Sequence, residues 1–82
     1  MITVDVLFPA LNKRFEFILS MNISIETLIC EMIEMISQNE HIPANLDISE
    51  LILCDTDSMR ILDPHATLLQ YGIMRATRLM LI

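Results

Sequence analysis

Apolar and polar positions alternate from the first residues onward. Ile2, Val4 and Val6 interleave with Thr3, Asp5 and Leu7. A period of two sends the two sets to opposite faces of an extended chain, so the pattern predicts a half-buried strand from Ile2 to about Phe8. Pro9 ends it, because proline has no N–H to give to a ladder. Asn12-Lys13-Arg14 reads as a polar connection. A second strand is expected from Phe15 to about Leu19, with Phe15, Phe17 and Leu19 on one face and Glu16 and Ile18 on the other. Two strands so close in sequence should form a hairpin.

The period then changes. Ser24 suits a helix N-cap, since its hydroxyl can accept from an N–H that has no partner in the first turn. Glu26 suits the positive end of the helix dipole. From Ile25 to about Gln38, a rotation of about 100° per residue gathers Ile25, Leu28, Ile29, Met32, Ile33, Met35 and Ile36 on one face. Glu26, Thr27, Cys30, Glu31, Glu34, Ser37 and Gln38 fall on the other, so Cys30 is expected to be at least partly exposed. The apolar stripe reads as core.

Asn39 to Glu50 reads as a polar connection anchored by Ile42, Leu46 and Ile48. Leu51 to Cys54 has the pattern of a third strand, with Leu51 and Leu53 inward and Ile52 and Cys54 outward. Asp55-Thr56-Asp57-Ser58 is a turn, because short polar side chains bond the local backbone there. Met59 to Leu62 is expected as a short fourth strand, Thr67 to Gln70 as one helical turn, and Arg78 to Ile82 as the last strand. The order strand, strand, helix, strand, short strand, strand describes an α+β fold of the β-grasp kind. A mixed sheet of four to five strands would pack on one helix, with the first and last strands side by side and parallel.

Composition narrows the function. Eighty-two residues make a single domain. An apolar fraction of 54% and a mean hydropathy of +0.54 are high for so small a core, so some apolar side chains should stay on the surface. The net charge of −6 argues against nucleic acid and anionic lipid as partners. Lys13, Arg14, Arg60, Arg75 and Arg78 form no basic run. No apolar stretch is long enough for direct insertion into a membrane, and Met1-Ile2 leading straight into a strand suggests no secretory signal. Cys30 and Cys54 are expected to be free thiols in a reducing cytoplasm.

Residue types that carry chemistry are present but not arranged for it. Cys30, Cys54, His41 and His65 lack the close pairs of a zinc site, and no base or oxyanion hole is fixed around either thiol. Asp55, Asp57 and Asp63 lack the central glycine and closing Glu of a calcium loop, and read as turn formers. Glu26, Glu31 and Glu34 are either a solvated face or an electrostatic contact for a basic partner. The expectation is no catalytic residue, no metal and no cofactor.

Leu51-Ile52-Leu53, Thr67-Leu68, Tyr71, Ile73 and Leu79-x-Leu81 resemble the second half of ubiquitin in order and spacing. Phe15-Glu16-Phe17-Ile18-Leu19 and Ser24-Ile25-Glu26-x-Leu28-Ile29 extend the likeness to the first half. The acidic character, the Phe-containing second strand and the Leu28-Ile29 pair resemble the YukD/EsaB family more particularly. That resemblance implies a cytoplasmic, non-enzymatic accessory of a bacterial type VII (WXG100) secretion system, which binds a system component or its own copy. The likeness to ubiquitin implies a core Leu68 and a Tyr71 whose hydroxyl braces its loop. Gly72 is the single glycine, Arg78 to Ile82 carries no Gly-Gly, and Lys13 is the single lysine. Conjugation and sulfur transfer are therefore not expected. A ubiquitin-like domain of a larger protein, or a modifier or sulfur carrier that needs C-terminal processing, is the alternative. Alternation puts Ile52, Met80 and Ile82 on the outer sheet face, with Leu7 and Ile18 nearby and Leu11 on the first hairpin turn. The likeness to ubiquitin, whose partners meet the matching regions, implies that a partner would dock there.

Overall fold

The computed structural model describes residues 1–73 and 77–82. Strands β1 (Ile2–Phe8) and β2 (Lys13–Leu19) form the predicted hairpin, with Val4 opposite Phe17 and Phe8 opposite Lys13. The connection is tighter than the sequence suggested. Pro9–Leu11 make a single 3-10 turn, and Asn12 takes a left-handed conformation (φ 53°) with its N–H on the Pro9 carbonyl. Asn tolerates that region better than most residues. Lys13 and Arg14 are thereby released from the loop and enter the strand.

Helix α1 (Ile25–Ser37) starts where the cap predicts, with Ser24 Oγ accepting from the Thr27 N–H. Two further N–H groups of its first turn, those of Ile25 and Glu26, donate to the carbonyls of Ala66 and Pro64. The segment after β4 thus serves as part of the helix cap. Every residue of the predicted stripe is buried except Met35, which remains 38% exposed at the helix's C-terminal end. Cys30 is exposed, as its place on the wheel requires.

Strand β3 (Leu53–Asp55) begins two residues later than expected, and β4 is only Arg60–Ile61. Ile48–Glu50 form a 3-10 turn capped by Asp47, whose carboxylate accepts the Ser49 N–H. This turn lifts Ile48 away from the core; Ile42 and Leu46 are the anchors of the long connection, and Ile48 is not. Thr67 to Gln70 form no helix. Thr67 Oγ1 accepts the Gln70 N–H while Gln70 Oε1 accepts the Thr67 N–H, a reciprocal box that closes a tight turn.

Strand β5 (Thr77–Leu81) runs parallel to β1 and antiparallel to β3, giving the order β2-β1-β5-β3-β4. One face of this mixed sheet packs on α1. Val4, Val6, Phe8, Leu28, Met32, Leu53, Leu68, Leu79 and Leu81 form the closed centre of the core. Tyr71 braces its loop as expected, its hydroxyl accepting the Asp63 N–H at 2.8 Å, and the Arg60 guanidinium lies 5.1 Å from its ring centre. The last strand begins and ends one residue earlier than the expected Arg78 to Ile82, and the residues between Ile73 and Thr77 fall outside those described.

Candidate functional site

With one sheet face spent on the helix, alternation commits the intervening residues to the other face. Strand register then decides which of them meet. Leu7 stands beside Met80, Met80 opposite Cys54, and Cys54 opposite Ile61. Four strands thus contribute one residue each to a continuous apolar row, and Arg14, opposite Leu7, closes it at the β2 edge. Leu7, Met80 and Cys54 are half-buried by their neighbours, whereas Ile61 is 69% exposed.

Next to this row lies a second apolar pair. Ile52 and Ile82 exchange their backbone hydrogen bonds across the ends of β3 and β5, and are 40% and 49% exposed. On the other side of the row the face turns polar. Asp5 is flanked by Glu16 and Arg78 in register, and Arg14 comes within 3.6 Å of its carboxylate. Ile18 is 66% exposed and pairs with Thr3, so the charged row separates it from the apolar group. Leu11 also stands apart, partly buried and packed on the core from the 3-10 turn. The structure therefore brings together Leu7, Ile52, Met80 and Ile82, and leaves Leu11 outside.

Cys54 and Ile61 complete the row without having been named as site residues. Cys54 was legible as outward-facing. Ile61 was hidden because its face depends on the β3–β4 turn, where Met59 adopts φ 58°. Its neighbour Leu62 is buried and donates its N–H to the Leu53 carbonyl, which turns Ile61 outward.

Two of the turn acids have local partners. Asp55 is buried, accepts the Asp57 N–H and lies 3.9 Å from Arg60. Asp63 accepts the His65 N–H. Both are turn-forming contacts. Among the described residues no three His, Cys, Asp or Glu side chains cluster as a metal site would require. Cys30 and Cys54 are free and lie on different surfaces, one on α1 and one on the sheet. No helix among the described residues is long and apolar enough to cross a membrane.

No protein-family model matches the chain, and no curated protein matches it. Solved structures do. A ubiquitin-like domain of an Arabidopsis thaliana protein aligns over 99% of this chain and 74% of its own, at 21% identity and a TM-score of 0.73. A designed protein based on human erythrocytic ubiquitin aligns over 100% and 90%, at 21% identity and a TM-score of 0.73. ATBAG1, in a crystal structure with HSP70, aligns over 100% of this chain and 40% of its own, at 20% identity and a TM-score of 0.72. Together with one helix packed on a five-stranded mixed sheet, these similarities establish the ubiquitin-like β-grasp fold for this chain.

Proposed function

We propose that the chain is a non-enzymatic protein-interaction module that works by docking through the outer face of its sheet. The observation that carries this reading is the row Leu7–Met80–Cys54–Ile61 with the adjoining pair Ile52–Ile82. These side chains add little to a core that closes on the opposite face, and a contiguous apolar group among polar neighbours marks an interface. Burying a few hundred Å² of it contributes several kcal/mol at about 25 cal/mol per Å², before the cost of association is subtracted.

The partner proposed is a component of a bacterial type VII secretion system. What supports this is the sequence resemblance alone: the acidic chain, the Phe15–Phe17 strand and the Leu28-Ile29 pair. That a similarly folded chain, ATBAG1, is found in a complex with HSP70 is in keeping with partner binding by proteins that contain this fold.

The test is capture of partners from the cell that encodes the chain, using wild type beside Ile52→Asp and Ile82→Asp. Both variants keep the fold and lose the captured partner; unchanged capture by both sinks the outer face as a docking site. Intact-mass measurement of the cell-derived protein separates docking from modification. A C-terminal adduct or a processed end would move the reading to a modifier or sulfur carrier.

A further inference from the structure

A second apolar surface lies at the β3–β4 edge, on the helix side. Strand β4 stops at Ile61 and the chain turns away at Asp63-Pro64, so on the β4 side no strand continues beside Leu51 and Ile52. The first turns of α1 and the Ile48–Glu50 turn wall the notch left there, a groove of about 750 Å³. Its floor is Ile29, Leu51, Leu53 and Leu62; Ile48 stands at its lip, together with Ile52 and Ile61, the edge residues it shares with the outer face. Ile48 is 40% exposed, so the one expected anchor that missed the core became part of this wall.

The charges around it have one sign. Glu26 from α1 and Glu50 from the 3-10 turn line the groove, no described Lys or Arg does, and neither acid has an ion-pair partner among the described residues. The described cations are engaged or distant: Lys13 with Glu40, Arg14 with Asp5, Arg60 with Asp55, and Arg78 on the outer sheet face. A groove with an apolar floor and acidic walls selects against anionic lipid and nucleic acid by simple repulsion. A second copy of this chain is disfavoured too, because it brings a net charge of −6 and few free cations.

We propose that this groove binds a protein segment with a bulky apolar centre flanked by lysine or arginine. The apolar side chain enters between Ile48 and Ile61, and the flanking cations meet Glu26 and Glu50. Complementary charge at the rim chooses the segment and the buried apolar contact holds it.

The two native thiols report the two surfaces separately, since Cys30 lines the groove and Cys54 lies in the outer apolar row. The probe is a synthetic peptide with a Leu-Phe-Leu centre and two lysines at each end. Alkylation of each thiol is followed by peptide mass mapping. At saturation the peptide slows Cys30 alkylation about fivefold and changes Cys54 by less than about twofold, because thiol reactivity tracks access. Versions with glutamate flanks or a serine centre give no protection. Reversing both rim charges (Glu26→Lys with Glu50→Lys) weakens binding about tenfold. Ile48→Ser, at an exposed position outside the core, weakens it with an unchanged circular dichroism spectrum. Protection of Cys54 instead of Cys30 would overturn the proposal, as would equal protection by the glutamate peptide. So would protection of Cys30 that grows with protein concentration in the absence of peptide, which would name a second copy as the occupant.

Discussion

Ile52 and Ile82 are a directly opposed pair: the Ile52 N–H reaches the Ile82 carbonyl at 2.5 Å, and the Ile82 N–H reaches the Ile52 carbonyl at 2.9 Å. Opposed residues project to the same face, while the adjacent pair Leu53 and Leu81 projects to the other and is fully buried. One step along the strand therefore separates a side chain held by the core from one held out to solvent.

That step has a thermodynamic signature. Leu81→Ala leaves a core cavity and costs about 2–5 kcal/mol, whereas Ile82→Ala stays within about 1 kcal/mol. Urea unfolding of both variants checks this, and similar midpoints for the two would contradict the assigned faces.

Tyr71→Phe removes the acceptor of the Asp63 N–H and leaves the ring under Arg60. The expected loss is about 0.5–1.5 kcal/mol, the net worth of one hydrogen bond. Hydrogen exchange at the Asp63 amide should quicken selectively; unchanged protection there would remove the brace from the loop.

Two left-handed positions respond in opposite directions. Gly72 sits at φ 68° with nothing within 4 Å of an added Cβ, so Gly72→Ala destabilises through backbone strain alone, by about 1 kcal/mol. Met59 sits at φ 58° and is 87% exposed. Met59→Gly relieves strain without losing burial, and stabilises by about 0.5 kcal/mol after glycine's entropic cost. Thermal midpoints that move in the same direction for both would refute this assignment.

Ser24→Ala removes the side-chain cap from the Thr27 N–H and the contact with Thr27 Oγ1 at 2.9 Å. A loss of about 1 kcal/mol follows. Ser24→Asp should recover most of it, because an aspartate caps equally well and favours the helix dipole. Failure of that rescue would show that the hydroxyl acts through another contact.

Local periodicity made much of this fold legible. The strict alternation in β1, the i, i+3, i+4 stripe of α1 and the Ser24 cap each pointed to one element, and the structure has it there. The misplacements arise at turns, whose backbone geometry hydrophobic periodicity does not encode. Lys13 and Arg14 join β2 because a left-handed Asn12 tightens the hairpin. Ile48 leaves the core because Asp47 starts a 3-10 turn. Ile61 faces outward through a register that the β3–β4 turn sets. The outer face was therefore readable strand by strand, through Leu7, Ile52, Met80 and Ile82, but its row required cross-strand pairing that no local pattern encodes. Leu11 was placed by its position on a turn, and the core claims part of its side chain.

Strand β5 is the last described strand in sequence and the middle one in space. The β1–β2 and β3–β4 hairpins pair with their own members and with β5, never with each other. Each hairpin can form early from near neighbours, yet the sheet stays in two halves until a segment from the far end of the sequence inserts between them. Such pairing closes a loop spanning most of the chain before it is rewarded, which slows folding relative to a domain built from local contacts. Until β5 inserts, the edges of β1 and β3 that it will cover are open to any extended strand nearby, so the interval before closure is when this small apolar domain is most exposed to mispairing.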